Sequence, residues 1–408
     1  MPESFALDFV IVVAAALLGG IVARSVRLPA MVGFLLAGIA VGPYTPGPVT
    51  SLERVNLVAT FGVAFLMFAL GAQFPLSKLR RYLGLTVFGA AIQVVLTVGL
   101  TILIALPFRL PIWQAALFGI FVSMSSTVVL AKLLEGRGAL DSLYGKMALS
   151  ISLGQDLLSV PIIALLPFAG QEMQGAVPSI AFALGRAVAI IAVAYLVGLY
   201  LLPWVLDRVA AQARELFLLS VVLIAVGVAM LLEQLGVSFI LGAFIAGLVV
   251  ADSRYSRQIL AETVPLRDIF APFFFVSVGM LFDLRFVGAN LGLVALIVIL
   301  VILGKLLIVT AVALLFRYPA RSALLAGFAL AQVGEFSFVL AQLALTQGVI
   351  QHDLFSLVIA CALGSIFVSP LVMAMAGPTA GLLERMPVLG GPLRARAMVG
   401  SPREGKDD

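Results

Sequence analysis

Apolar residues run through this chain in stretches near the ~20 residues a helix needs to cross a bilayer, separated by short polar or basic turns. The pattern predicts about thirteen spanning helices, at about residues 6–23, 30–48, 55–72, 82–106, 112–135, 145–169, 176–203, 214–235, 238–253, 264–282, 288–316, 320–346 and 352–377. The ninth is short, and Gly242, Ala246 and Gly247 give it a face that can pack closely on a neighbour. The predicted fold class is therefore an all-α polytopic membrane protein. Residues 1–377 make up its transmembrane part, and residues 378–408, ending SPREGKDD, read as a mobile polar tail with no second soluble domain after it.

Composition agrees with the pattern. Of 408 residues, 62% are hydrophobic and 11% charged, against about 25% charged in a soluble domain, and the mean hydropathy is +1.19. The net charge of +5 follows from membrane orientation and does not point to nucleic acid. Loops after odd-numbered spans hold fourteen Lys and Arg and the tail five more, whereas loops after even-numbered spans hold only Arg54, Arg109 and Arg285. The positive-inside rule then puts the N-terminus outside and the C-terminus in the cytoplasm. The first residues are acidic and lack the basic region of a leader, so residues 6–23 are read as the first span. The one cysteine, Cys361, excludes an intrachain disulfide and reads as a small packing residue.

Self-similarity organises the spans further. Gly33–Gly38 in the second span matches Gly242–Gly247 in the ninth, Gly71–Leu76 matches Gly279–Leu284, and Leu153–Pro161 matches Leu363–Pro370, all at an offset near 209 residues. The copies start seven spans apart, an odd number, so the second enters the membrane inverted. Repeat one covers about 6–169, a connector helix 176–203, and repeat two about 214–377. Inverted repeats are common in secondary transporters, with the ion site near the midplane where they meet.

The fifth and twelfth spans correspond in this scheme, and both are interrupted by polar residues. The fifth carries Ser123, Ser125, Ser126 and Thr127; the twelfth carries Gln332, Gly334, Glu335 and Ser337. Unwound segments there would give two crossed discontinuous helices whose free carbonyls can coordinate a cation. The competing reading is hydroxyls bonded back to the preceding turn, a common arrangement in membrane helices.

Four ionisable groups lie well inside spans: Asp156, Arg186, Lys305 and Glu335. A carboxylate at mid-membrane costs roughly 2.5–3.5 kcal/mol on insertion scales, which makes Asp156 a candidate for binding a cation or proton. Its other readings are pairing with a base and a structural role facing other helices. Repeat two has Ser365 and Ile366 where repeat one has Gln155 and Asp156, so the carboxylate is kept on one side of a pseudo-symmetric fold. Pro161, just beyond, deprives a backbone carbonyl of its helical donor. Lys305 lies too deep to snorkel, and Asp156 is its expected ion-pair partner, either opening when a cation takes the carboxylate or standing as a permanent bridge. Arg186, nearer a span end, is expected to snorkel. Glu335 is a second polar group at the helix crossing or a partner for an unwound N–H. His352 reads as a helix start.

These residues carry a resemblance. The chain resembles the membrane domain of the monovalent cation:proton antiporter-2 family, particularly its Kef-type potassium/proton branch. The matching pieces are Gly33–Pro43, Ser125–Thr127, Gln155–Asp156, Gly242–Gly247, Phe274–Met280 and Gln332–Leu340, covering nearly all spans in order. The resemblance implies an antiporter in a bacterial inner membrane that exchanges potassium or sodium for protons without a cofactor. It implies a homodimer of thirteen-helix protomers, each with a dimerisation part and a mobile core of spans four to six and eleven to thirteen moving like an elevator. By motif, Asp156 corresponds to the cation/proton carboxylate, Gln155 to its polar neighbour and Lys305 to the basic partner. Kef systems carry a cytoplasmic nucleotide-binding domain after the last span; no GxGxxG follows here, so nucleotide and glutathione control are not implied. A ligand-gated potassium channel would use the same crossing but needs no protonatable pair, and a bile-acid-type carrier would have a wider cavity richer in Asn, Gln and Thr.

Overall fold

The computed structural model describes residues 2–26, 28–45, 52–73, 83–108, 111–166, 169, 185, 207–208, 213–235, 237–251 and 253–385. The expected connector helix 176–203, except Gly185 but including Arg186, the basic residues Lys78, Arg80 and Arg81, and the tail beyond Arg385 lie outside these residues. Among the described residues no strand occurs, and seven helical segments are long and apolar enough to cross a membrane.

The chain divides into two compact units. The first gathers residues 1–82, 159–288 and 342–356. It contains α1 (Pro2–Ser25), α2 (Ala30–Val41), α3 (Leu52–Ala72), and, later in the chain, α8 (Arg214–Gln234), α9 (Phe239–Ala251), α10 (Ser256–Met280) and α11 (Leu284–Ala289). Here the sequence repeat becomes a packing repeat. Gly38 of α2 lies against Gly279 of α10, and Gly247 of α9 lies against Gly71 of α3. A Cβ on any of the four would run into backbone of the partner helix, so only glycine permits the approach. Each contact joins one repeat to the other, and the two contacts are images of one another. Charged groups of this unit pair at its surface: Arg214 donates to Glu262 at 2.9 Å, and Arg254, with the Tyr255 hydroxyl, holds the Asp207 carboxyl below the usual carboxylate range.

The second unit gathers residues 83–158, 289–341 and 357–408, which hold most of the predicted spans four to six and eleven to thirteen. It begins with a π turn, Leu83–Gly89, and contains α4 (Ala90–Ala105), α5 (Ile112–Ser123), α6 (Thr127–Glu135), most of α7 (Leu143–Leu165), α12 (Leu291–Leu315), α13 (Ala320–Ala329), most of α14 (Glu335–Thr346) and α15 (His352–Arg385). Its core gathers Leu130, Leu134, Met147, Ile151, Leu306 and Val309, with Ala326, Ala329 and Ala376 filling narrow gaps. The fifth predicted span is α5 and α6, broken at residues 124–126, and the twelfth is α13 and α14, broken at 330–334. Both interruptions fall where the polar residues place them. α15 continues past Gly377 through Pro378 to Arg385, with Ala380 buried.

Candidate functional site

A helix that stops in an apolar environment leaves backbone donors and acceptors that water cannot satisfy. In the second unit the two breaks satisfy each other. Gly334 N donates to Met124 O at 3.0 Å, Ser125 Oγ donates to Leu330 O at 3.1 Å, and Ser337 Oγ donates to Phe121 O. Gln332 Nε2 reaches Ser126 O at 3.4 Å. Gly334 sits directly on the Ser125–Ser126 peptide, where a Cβ has no room. The two broken helices are thus joined at their interruptions. Ser126 caps α6 by accepting from Val129 N at 3.2 Å, the favoured use of a serine at that position.

Asp156 projects from α7 and is 3% exposed. Its Oδ2 accepts from Thr127 Oγ1 at 2.8 Å, in the first turn of α6. Thr127 Oγ1 also lies 2.8 Å from Ser152 Oγ, one turn before Asp156 on the same face of α7. Ser152 in turn approaches Ser125 O at 3.5 Å. A carboxylate, two hydroxyls and the Ser125 carbonyl of the unwound segment therefore converge. These are oxygen donors, the chemistry a dehydrated alkali cation or a proton requires. Glu335 heads α14, is 7% exposed, and stands within electrostatic reach of Asp156. Among the described residues, no group of three or more His, Cys, Asp or Glu gathers to hold a metal ion.

The expected ion pair between Asp156 and Lys305 is not formed here. Lys305, 1% exposed, donates to Met124 O and Gln332 O, both at 2.8 Å. The physical reason is the breaks themselves. They free carbonyls at the C-terminal ends of α5 and α13, where the helix dipoles concentrate negative charge, and a buried ammonium is satisfied there without a carboxylate.

Gln155 is also committed to backbone. Its Oε1 accepts from Ser125 N at 2.8 Å, and its Nε2 donates to Gln93 Oε1 at 2.8 Å. Gln93, Thr97, Ser152, Ser337 and Ser365 also belong to the polar network of this unit; of these, Gln93, Thr97 and Ser152 are not among the site residues the sequence pattern marks. The signal available was a row of polar residues four apart, Gln93, Thr97 and Thr101, in an α4 otherwise made of apolar residues and glycine. Cys361 is buried and free, and His352 opens α15 with its ring 6.3 Å from that of Tyr44.

Two broken helices meeting beside a buried carboxylate, among described residues that are all helix and turn, are an arrangement found in many membrane proteins of the discontinuous-helix class. The chain belongs to the family described as sodium/hydrogen exchanger, transmembrane, whose model matches residues 12–375. It is 38% identical over 366 residues to YbaL of Escherichia coli (strain K12), named as a candidate cation/proton antiporter, covering 87% of this chain and 65% of that protein. It is 33% identical over 379 residues to K(+) efflux antiporter 5 of Arabidopsis thaliana, covering 90% of this chain and 66% of that one. The chain thus spans just under two thirds of the length of these relatives. The fold matches the sodium proton antiporter MjNhaP1 from Methanocaldococcus jannaschii with a TM-score of 0.67 at 17% identity, over 92% of this chain and 98% of that one.

Proposed function

We propose that the chain is a secondary active antiporter that moves a monovalent cation, potassium or sodium, outward against protons moving inward. The observation that carries this reading is Asp156, buried beside Thr127 and Ser152 where an unwound backbone supplies further oxygens. Family membership and the names of the relatives support it. In this reading Asp156 is the shared cation and proton site, Thr127, Ser125, Ser126 and Gln155 shape it, and Gln332 and Glu335 hold the crossing. The second unit, which contains the site, is the moving core, and the protein acts as a homodimer in an inner membrane. Residues 1–377 form the membrane domain and 378–408 a cytoplasmic tail, with the N-terminus outside.

Coupling follows from charge burial. An empty, ionised carboxylate carried through the low-dielectric part of the membrane faces a penalty of several kcal/mol. A carboxylate holding a proton or a cation does not, so the core crosses only when occupied. One site cannot hold both ions at once, and the fluxes are thereby linked. Proton and cation compete: raising proton concentration is expected to raise the apparent KM for the cation more than it lowers the maximal rate.

The test is the purified protein in liposomes containing a pH-sensitive dye, with a potassium or sodium gradient imposed. Cation-driven proton movement is the expected result. Cation flux with no proton movement would replace the antiporter with a channel, and no flux of either ion would remove transport altogether. Calcium is expected to be a poor substrate, because in the Gln155–Asp156 pair the second position is a neutral amide, leaving two positive charges to face the one carboxylate that the Thr127 and Ser152 hydroxyls surround. Calcium-driven proton exchange without a potassium or sodium response would overturn the monovalent assignment.

A further inference from the structure

A cation site at a broken helix is only as precise as the unwound segment, and that segment has no regular hydrogen bonding to fix it. Besides the bonds they make with the other break and with Lys305, residues 123–125 are held by a closed loop of side chains. Ser125 N donates to Gln155 Oε1, Gln155 Nε2 donates to Gln93 Oε1, and Gln93 Nε2 donates to Ser123 O at 3.3 Å and to Thr97 Oγ1 at 3.0 Å. All five residues, Gln93, Thr97, Ser123, Ser125 and Gln155, are buried.

The direction of every bond in this loop is determined. The Ser125 N–H can only donate, so the atom of Gln155 that meets it is oxygen. Gln155 then presents nitrogen to Gln93, which must answer with oxygen and turn its own nitrogen to Ser123 O, a group that can only accept. The Thr97 hydroxyl gives its proton to Gln93 O at 2.8 Å, leaving its oxygen to accept. Neither amide can flip without opposing like groups. The loop has one polarity, set by two backbone groups two residues apart.

The second repeat contains the same plan in simpler form. Ser365 accepts from Val333 N at 2.9 Å, as Gln155 accepts from Ser125 N, in positions 208 to 210 residues apart. Lys305 on α12 donates to Gln332 O, as Gln93 on the corresponding α4 donates to Ser123 O, and these carbonyls are 209 residues apart. Gln93 thus stands in repeat one, within one helical turn, where Lys305 stands in repeat two. The difference is that Gln93 also touches Gln155, and so closes the loop beside Asp156.

We infer that Gln93 is a positioning residue of the cation site: through Gln155 it clamps the Ser123–Ser125 backbone and so sets where Thr127 meets Asp156. This rests on the proposed antiport for its transport readout, and on the fold alone for its structural one. Gln93 touches no transported ion. Its removal leaves Gln155 Nε2 and Ser123 O buried without their partner, and lets Gln155 rotate.

Gln93→Leu and Gln155→Leu, singly and together, are compared with the unaltered chain in the same liposomes, and Thr97→Val serves as a milder variant. Gln93→Leu is expected to raise the apparent KM for potassium or sodium about tenfold, equivalent to one buried hydrogen bond left unmade, with kcat within about twofold. Thr97→Val, which leaves Gln93 its bond to Ser123 O, is expected to raise it about threefold. The double variant should be no worse than the poorer single one, because both break one loop. A merely structural Gln93 would lower the yield of active protein and leave KM unchanged. Unchanged KM in folded Gln93→Leu, or effects that multiply in the double variant, would overturn the inference. Where Gln93→Leu yields no folded protein, unchanged KM in Thr97→Val does the same. Amide hydrogen exchange supplies the readout independent of transport: the Ser125–Thr127 amides should exchange faster in Gln93→Leu, or in Thr97→Val where that variant must stand in, and unaltered exchange there also overturns it. Failure of the unaltered chain to move protons would instead strike the antiport reading, leaving this second measurement intact.

Discussion

Asp156→Asn is expected to abolish cation-driven proton movement at every pH while leaving the protein folded. Asparagine keeps the size of the side chain and an oxygen for the Thr127 hydroxyl, which donates at 2.8 Å in the unaltered chain. What it loses is the charge and the titratable proton. A unit charge about 4 Å from a cation contributes about 4 kcal/mol at an effective dielectric of 20, or about a thousandfold in affinity. The neighbouring hydroxyls and the Ser125 carbonyl cannot restore that, because they are dipoles and carry no net charge. Repeat two has no carboxylate at the corresponding positions, which Ser365 and Ile366 occupy, and Glu335 comes from α14, not from α7 beside Thr127 and Ser152. Lowering the pH cannot rescue an amide, which takes up no proton in the working range. The measurement is dye-reported exchange in liposomes beside a thermal unfolding scan of the same preparation. Wild-type exchange from a folded Asp156→Asn protein would remove the carboxylate from the mechanism.

The sequence made the two breaks legible because hydroxyls, glycine and amides interrupt apolar periodicity in a way nothing else in spans five and twelve does. It made the repeat legible through glycines, and the reason is now physical: Gly38 with Gly279, and Gly71 with Gly247, are the places where helices touch backbone to backbone. Asp156 stood out because a lone carboxylate in a spanning helix is costly. The partner of Lys305 was not legible. Opposite charge pointed to Asp156, but backbone carbonyls freed by a break bear no letter in the sequence, and they hold the ammonium instead. Of the neutral residues, Ser125, Ser126, Thr127, Gln155 and Gln332 stood out at the breaks and beside Asp156, but those on α4 did not, for a related reason. Gln93 and Thr97 cost less to bury than an ion and draw no notice until their bonds are traced across to residues thirty and sixty-two positions away.

Lys305 then yields the second large effect, and two substitutions separate its roles. Lys305→Met keeps the length and apolar stem of the side chain but removes every donor. Met124 O keeps its bond from Gly334 N, whereas Gln332 O loses the ammonium that donates to it. The ends of α5 and α13 also lose the positive charge that offsets their dipoles. A buried carbonyl left without its donor costs about 1–3 kcal/mol, and the uncompensated helix ends add about 0.3–2 kcal/mol. A marginally stable fold absorbs such a loss poorly, so Lys305→Met is expected to lower Tm sharply and to lose exchange together with the folded crossing. Lys305→Gln retains an amide with two N–H groups and can still serve both carbonyls. It is expected to fold, to exchange, and to keep the pH midpoint of the unaltered chain, because the group that titrates in transport is Asp156 and Lys305 does not face it in this structure. An ion pair essential to the cycle predicts the opposite for Lys305→Gln: a stable protein whose pH profile moves. A displaced midpoint in a folded Lys305→Gln protein would therefore restore the Asp156–Lys305 pair as a transient partner in another state of the core. An unmoved midpoint, with Lys305→Met unstable, assigns the ammonium to the helix ends.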